Sequence, residues 1–297
     1  MILIPCRDNP GKALVTIAIG DEALAFWQRH CQDRWTRYAA RHGYDIVCLT
    51  EPLDPSARAS ARSPSWQKCL TPDHPACSRY DRLVWVDADL ILNPTTAPCL
   101  VAQVPREKIG GTDAYAFLSR DMHDHLYEEY IRLAPRWGRK LVINRTPNAY
   151  YRNFGLDTDL DEVIQCGLLV LTPKLHRAPL ADCYALHEAR YSAEHDYDYN
   201  LEMRPLSFEI VRRGLHHFID QRFNLILSNS LYLMAPWLYH AQAPEDVMRP
   251  LRRLAVTSSW CHAYGLHFAG GARFRAYADD LIEGVDRPED FARVSLG

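Results

Sequence analysis

Two aspartates interrupt an otherwise apolar stretch, RLVWVDADLILNP, at residues 82–94. An unpaired carboxylate is costly to bury or must change its pKa. In a strand, residues i and i+2 point to the same side, so Asp87 and Asp89 are expected to face one spot, where their charges repel. A divalent cation removes this conflict, and Mg²⁺ and Mn²⁺ favour oxygen ligands. The alternative is that both aspartates merely cap a turn after the strand.

The pattern of apolar residues predicts an α/β fold around this acidic pair. Residues at helical spacing predict a helix from Glu22 to His42, which Gly43 ends. A strand–helix–strand unit builds a parallel sheet, and ligands bind outside the carboxyl ends of its strands. The acidic pair follows such an end. Buried strands are predicted at residues 13–21, 44–50, 82–86, 163–173 and 265–270.

No repeat or hard boundary divides the chain, so residues 1–297 are predicted to form a single domain. Residues 113–160 are predicted to be an insertion or an acceptor-side region, with a helix at residues 123–133. Residues 51–65 are rich in Pro, Ser and Arg and predict a mobile loop. Because this loop leads into Lys68, we expect it to become ordered when a ligand binds.

Composition excludes several classes of protein. The 297 residues are 47% hydrophobic and carry a net charge of −3, with both signs interspersed, which argues against a nucleic-acid surface. No apolar run approaches the roughly 18 residues of a membrane span, and no secretory signal is visible at the start. The nine cysteines are an odd number without a CxxC pair. They indicate a reducing compartment, so we expect a cytoplasmic protein.

Five short motifs occur in a characteristic order: VTIAIGDEALA, WQK, VDADLIL, QCGLLVL and HFAGGAR. Together they resemble the glycogenin and galactosyltransferase-like family of nucleotide-sugar glycosyltransferases, and the resemblance spans residues 13–273. It implies the GT-A fold, a Rossmann-like mixed sheet flanked by helices. It also implies transfer of a hexose from a nucleotide sugar, with retention of the anomeric configuration.

By this resemblance Asp87 and Asp89 hold Mn²⁺ or Mg²⁺, which bridges the nucleotide diphosphate, and Asp87 also contacts the ribose. His267 would be the third metal ligand, and an imidazole beside two carboxylates suits Mn²⁺ better than Mg²⁺. Gly270 would let the backbone approach a phosphate, which Arg273 would bind in place of the lysine of the family. Arg can form two parallel hydrogen bonds to phosphate.

The resemblance also assigns donor-binding roles. Lys68 matches a lysine that reaches the sugar or diphosphate; the alternative is a solvated helix position. The turn of residues 18–20, formed by Ala18, Ile19 and Gly20, would cradle the nucleotide base, while Glu22, Ala23 and Leu24 offer no aromatic ring to stack on it.

Two polar residues are expected near the donor sugar. Gln165 would hydrogen-bond it, and Glu202 would lie near its anomeric carbon. Glu209 is the alternative candidate for this role. The alternative for Glu202 is that it is a surface carboxylate without a function at the site. The clusters at 121–125 and 148–154 are interpreted as a solvated helix start and as half-buried packing, with metal binding and acceptor stacking as their alternatives.

The predicted activity is metal-dependent transfer of a hexose from a nucleotide sugar, with UDP as the expected nucleotide, to an acceptor hydroxyl that the sequence does not identify. Two alternatives remain open. One is a metal-dependent phosphohydrolase acting on nucleotide sugars, and the other is a non-catalytic protein that binds them.

Overall fold

The computed structural model describes residues 1–8, 11–133, 144–189, 201–239 and 243–294. Its centre is a seven-stranded mixed sheet with the strand order β1-β3-β2-β4-β7-β6-β8. The strands of this sheet are β1 (Ile2–Ile4), β2 (Lys12–Ile17), β3 (Asp45–Leu49), β4 (Arg82–Val86), β6 (Ile109–Asp113), β7 (Ile164–Leu171) and β8 (His216–Phe218).

The direction of the strands changes across the large sheet. Strands β2, β3 and β4 are parallel. Strand β7 runs antiparallel to both β4 and β6, and β8 runs parallel to β6.

The second sheet has three strands in the order β5-β10-β9. They are β5 (Leu90–Leu92), β9 (Leu225–Ile226) and β10 (Gly265–His267). The central strand β10 runs antiparallel to β5 and parallel to β9. Since three residues separate the end of β4 from the start of β5, the two sheets meet at the acidic pair.

Eleven α-helices in the described part of the chain surround the sheets. They are α1 (Asp21–Phe26), α2 (Gln32–His42), α3 (Ala57–Ser60), α4 (Pro75–Ser78), α5 (Arg120–Leu133), α6 (Pro147–Arg152), α7 (Pro173–Leu186), α8 (Met203–Arg212), α9 (Leu227–Met234), α10 (Glu245–His262) and α11 (Ala272–Ala276). A π-helical turn, Trp27–Cys31, joins α1 to α2, and a 3₁₀ helix, Pro64–Asp73, precedes α4. None of the helices in these described ranges has the length and hydropathy needed to cross a bilayer.

Both faces of the large sheet are buried. Along β4, Val84 and Val86 pack into the core layer that contains Trp35 and Trp260. The alternate residues Leu83 and Trp85 pack into the opposite layer, against helices α7 and α8. This alternation is that of a strand covered on both sides. The predicted mixed α/β sheet flanked by helices is therefore confirmed.

Most predicted elements lie where the sequence placed them. The helix expected from Glu22 to His42 consists of α1, the π-helical turn and α2, and Gly43 ends it in a left-handed conformation with φ of 74°. Residues 113–160 connect β6 to β7 and carry α5 and α6, and residues 134–143 lie outside the described residues. Their role as an insertion or acceptor-side region stays a prediction, as does the single-domain boundary.

The segment predicted as a mobile loop, residues 51–65, is anchored at several points. It contains α3, and the buried Arg62 guanidinium lies between the rings of Trp66 and Tyr184, at 4.5 and 4.8 Å from their centroids. Arg62 also donates hydrogen bonds to the Tyr184 carbonyl at 2.9 Å and to Glu188 at 2.7 Å. Ordering of this segment by a ligand stays a prediction.

Candidate active site

Asp87 and Asp89 lie in the turn that joins β4 to β5. His267 ends β10 and is paired with Leu90, the residue after Asp89. This register brings the imidazole Nε2 to 3.1 Å from Asp89 Oδ1 and 3.8 Å from Asp87 Oδ2. The three side chains thus offer ligand atoms that all lie within 4.8 Å of one another.

The His267 ring is held in one orientation by a chain of amides. Its Nδ1 is 2.8 Å from Asn224 Oδ1, and Asn224 Nδ2 donates to Gln165 Oε1 at 2.5 Å. Because Asn224 uses its amide nitrogen on Gln165, its oxygen faces the imidazole and requires Nδ1 to be the N–H donor. The ring therefore turns Nε2 toward the carboxylates, where it carries a proton while it hydrogen-bonds to Asp89 and would give up that proton to bind a metal.

The charges of the cluster fit a cation. Burial lowers the pKa of His267, but the hydrogen bond to Asp89 and the charges of Asp89 and Asp87 outweigh it, so that this pKa is raised. Burial raises the pKa of Asp87 despite the opposing effects of Lys68 and His267. The pKa of Asp87 is thus shifted mainly by burial and that of His267 by its two carboxylate neighbours, and a divalent ion between these carboxylates would offset their negative charges.

Gly167 allows the imidazole to come this close. A Cβ atom at this position would lie 2.6 Å from His267 Cε1 and 3.0 Å from Gln165 Oε1. The Gly167 carbonyl also accepts a hydrogen bond from the backbone N–H of Asp87 at 2.8 Å. The glycine of the QCG motif therefore supports both sides of the candidate metal site.

Lys68 and Glu202 form a buried ion pair behind Asp87. Their side chains are 2% and 4% exposed, and Lys68 Nζ lies 2.5 Å from Glu202 Oε1. The same ammonium is 3.2 Å from Asp87 Oδ1 and donates to the Cys166 carbonyl at 2.8 Å. Burial lowers the pKa of Lys68, but Asp87 and Glu202 outweigh it and raise this pKa. Lys68 is thus not a solvated helix position, and Glu202 is not a surface carboxylate.

Glu209, the rival acid, has other partners. Its carboxylate contacts Arg212, lies 3.2 Å from Arg213 Nε and lies 2.9 Å from His187 Nε2. Burial raises the pKa of Glu209, but these partners outweigh it and lower the pKa. This is the arrangement of a structural ion-pair network.

A cavity of about 250 Å³ opens beside the acidic turn. The predicted base-binding turn borders it, because Ile17 and Ala23 line the cavity on either side of residues 18–20. Ala18 is buried and Gly20 has a φ of 86°. The full lining is Ile17, Ala23, Phe26, Ser63, Pro64, Ser65, Trp85, Asp87, Ala88, Asp89 and Arg275.

Gln165 does not belong to this lining. It lines a smaller polar cavity of about 30 Å³ together with Asn224. The cluster at 121–125 is not among the groups of potential metal ligands in the described ranges. Tyr150 and Tyr151 pack in edge-to-face contact with each other, and Tyr151 is fully buried.

Solved structures with a similar architecture are glycosyltransferases. One is described as involved in the glycosylation of the major capsid of PBCV-1, with 12% identity, 92% of this chain and 100% of that chain covered, and a TM-score of 0.49. Another is the galactosyltransferase LgtC with donor and acceptor sugar analogs, with 12% identity, coverage of 95% and 100%, and a TM-score of 0.44. The bifunctional WbbM is 11% identical, with coverage of 95% and 51% and a TM-score of 0.46. No family model and no curated protein matches the sequence.

Two residues of the cavity lining were not predicted from the sequence. Phe26 supplies the aromatic ring that residues 22–24 lack, and it lies one helical turn after Ala23 on the same lining. Arg275, rather than Arg273, lines the cavity, and its buried Nε has no hydrogen-bond partner. Arg273 instead lies over the ring of Tyr239, at 5.3 Å from its centroid.

Phe26 could have been predicted from its helical spacing after the turn at Gly20. Arg275 follows the expected basic position by two residues, and Gly270 and Gly271 precede it with φ values of 105° and 93°. No local sequence pattern pointed to Asn224, because its contact with His267 arises only where β9 and β10 pair.

Proposed function

We propose that this protein is a metal-dependent glycosyltransferase that transfers a hexose from a nucleotide sugar, with UDP as the nucleotide, to an acceptor hydroxyl. The observation that carries the proposal is the meeting of Asp87, Asp89 and His267 at the edge of a cavity of about 250 Å³. The five motifs of the sequence support the same function.

The two carboxylates and His267 would hold Mn²⁺, or Mg²⁺, whose role is to neutralise charge on the nucleotide diphosphate. Mn²⁺ is the better fit because the donor set includes an imidazole whose Nε2 already faces the two carboxylates. Arg275 supplies a further positive charge on the cavity wall, where its guanidinium, 3.4 Å from Glu22 through Nη1, would attract a phosphate.

In the proposed reaction the bond from the anomeric carbon to the diphosphate oxygen breaks, and its electron pair stays on the diphosphate. A bond forms from this carbon to the acceptor oxygen, whose proton leaves on the departing diphosphate. The cations of the site stabilise the charge that develops on the leaving oxygen. Among the described residues of the cavity lining, only Asp87 and Asp89 are carboxylates. Both serve the metal, so the lining offers no separate base, and we propose retention of configuration.

Lys68 and Glu202 would act from behind the metal site. Since both are buried and paired with each other, Lys68 holds the orientation of Asp87 and Glu202 neutralises Lys68. The proposed role of Glu202 is therefore to position other groups as well as to approach the donor sugar.

Binding and turnover test the proposal together. UDP should bind with Mn²⁺ and lose affinity in EDTA, and a ligand at 100 times its dissociation constant should stabilise the fold by about 2.7 kcal/mol. His267→Ala should abolish the metal dependence, while the exposed His125→Ala serves as the matched control. A panel of nucleotide sugars with Mn²⁺ then identifies the donor by release of nucleoside diphosphate.

Equal UDP affinity in Mn²⁺ and EDTA would refute the assigned roles of Asp87 and Asp89. Donor turnover that no acceptor accelerates, with free sugar as its product, would instead identify a phosphohydrolase or a slow hydrolytic side reaction.

A further inference from the structure

Trp85, near the end of β4, contacts the first aspartate of the acidic turn. Alternate residues of a strand point to the same side, so the indole is on the side of the Asp87 carboxylate. The indole Nε1 donates a hydrogen bond to Asp87 Oδ1 at 2.8 Å. Trp85 is only 3% exposed, and it lines the cavity beside the acidic turn. An indole N–H is thus a direct neighbour of a proposed metal ligand.

The same oxygen of Asp87 has a second donor. Lys68 Nζ lies 3.2 Å from Oδ1. This ammonium also lies 2.5 Å from Glu202 Oε1 and donates to the Cys166 carbonyl at 2.8 Å. Three acceptors therefore match the three N–H bonds of the ammonium. Lys68 cannot turn toward the other oxygen of Asp87 without losing one of these buried partners.

The two donors use the hydrogen-bonding capacity of Oδ1. A carboxylate oxygen accepts about two hydrogen bonds through its lone pairs, and Trp85 and Lys68 supply two. The other oxygen of Asp87, Oδ2, faces His267 and lies 3.8 Å from its Nε2. The carboxylate thus has one oxygen that is held by donors and one that faces the candidate metal site.

The position of the indole is fixed by the strands around it. Trp85 pairs with Val15 of β2 and with Leu169 of β7, so β4 has a partner strand on each side. The ring also lies 5.2 Å from Lys68 Nζ, a distance at which a cation is attracted to an aromatic face. The indole N–H is therefore a donor with a fixed position, and it holds Oδ1 in the same place with or without a ligand.

We propose that Trp85 is a positioning residue that, together with Lys68, limits Asp87 to one metal-ligating oxygen and makes the site select Mn²⁺ over Ca²⁺. Ca²⁺ takes about six to eight oxygen ligands and often both oxygens of one carboxylate, whereas a smaller ion such as Mg²⁺ takes an octahedral set. Withholding one oxygen of Asp87 therefore costs Ca²⁺ more than it costs a smaller ion. This inference rests on the proposed function, because that function supplies the metal site on which Trp85 acts.

Trp85→Phe tests this, because it removes the indole N–H and keeps an aromatic ring. Mn²⁺ alone is titrated without nucleotide, with free Mn²⁺ measured by electron paramagnetic resonance, and Ca²⁺ is titrated in competition with it. We expect Mn²⁺ binding to weaken about 10-fold, the lower end of the range for an outer partner of a metal ligand. Ca²⁺ binding should stay constant or become tighter, so the ratio of the Ca²⁺ to the Mn²⁺ dissociation constant should fall by about the same factor.

Trp27→Phe is the matched control. Trp27 is also buried, but among the described residues its Nε1 has no hydrogen-bond partner, so this substitution removes an indole without removing a bond to Asp87. The ratio should not change in this variant. Replacement of the Trp85 indole by benzothiophene, which has sulfur in place of the N–H, preserves the size of the side chain. It should lower the ratio as Trp85→Phe does, and it provides the test if Trp85→Phe does not fold.

A purely structural role for Trp85 would weaken both ions equally, so an unchanged ratio in the Trp85 variants would overturn the proposal. Wild-type protein that binds Ca²⁺ at least as tightly as Mn²⁺, or that binds neither ion, would also overturn it. Titration of the wild-type protein with UDP in the presence of Mn²⁺ keeps the two proposals apart. Mn²⁺ selectivity that depends on Trp85, without any binding of UDP, would count against the proposed function alone.

Discussion

The buried pair of Lys68 and Glu202 should show strong energetic coupling. Lys68→Met keeps the length of the side chain and removes its charge, while Glu202→Gln keeps the shape of the acid. Lys68→Met leaves two carboxylates, those of Glu202 and Asp87, without their shared cation. Glu202→Gln leaves Lys68 with Asp87 at 3.2 Å and the Cys166 carbonyl at 2.8 Å.

These contacts set the expected magnitudes. Removing one partner of a buried ion pair costs about 3–5 kcal/mol, which we expect for Lys68→Met. Glu202→Gln should cost less, about 1–3 kcal/mol, because the amide oxygen still accepts a hydrogen bond from Lys68. The double variant removes both charges, so its cost should fall short of the sum of the single variants by about 0.5–3 kcal/mol.

Urea unfolding in EDTA measures this cycle without any contribution from metal binding. The midpoint shifts at constant slope give the free energies of unfolding. If the changes in unfolding free energy caused by the two substitutions are additive, the ammonium and the carboxylate do not stabilise each other. The buried pair is then not the element that holds Asp87 in place. Titration of the same variants with Mn²⁺–UDP should show the larger loss of affinity in Lys68→Met, since Lys68 contacts a proposed metal ligand directly.

Three further substitutions test the remaining parts of the site. Asn224→Ala should weaken Mn²⁺ binding about 10–100-fold because the metal-facing imidazole loses its orienting partner; Asn148→Ala, which removes an amide elsewhere, should not change it. Phe26→Ala should weaken UDP binding by about 1–3 kcal/mol, the value of a base stacked on an aromatic ring, while Mn²⁺–pyrophosphate binding stays constant; a parallel loss of pyrophosphate affinity would contradict stacking. Arg275→Ala should weaken Mn²⁺–UDP binding more than Arg273→Ala in calorimetry, and the reverse order would restore the phosphate role to Arg273.

The sequence located the parts of the site that lie at the ends of strands. Asp87 and Asp89 follow a run of apolar residues whose length and composition specify a buried strand, so their position on the fold could be predicted. His267 was found by a motif, because glycines at fixed spacing follow it. Its contact with Asp89 depends on the pairing of β10 with β5, which no local pattern specifies.

The burial of Lys68 could not be predicted in the same way. A lysine in a polar helical segment is expected to be solvated, and here Glu202 and Asp87 make its burial possible. The anchoring of residues 51–65 has a similar cause. Composition suggested mobility, but the rings and carbonyls that hold Arg62 come largely from α7 and the residues after it, far along the chain. Long-range electrostatic partners decide both cases.

The central position of β10 has a consequence for the order of folding. Asp89 and His267 are 178 residues apart. At synthesis rates of about 5–20 residues per second, the acidic turn exists for about 10–35 s before the imidazole is made. Strand β5 has to wait about equally long for β10, its partner, whereas β9, which begins 40 residues before β10 (265 − 225), waits only about 2–8 s. The proposed metal site is thus completed by one of the last steps of assembly, and binding of an ion there would report that the nascent chain has closed its smaller sheet.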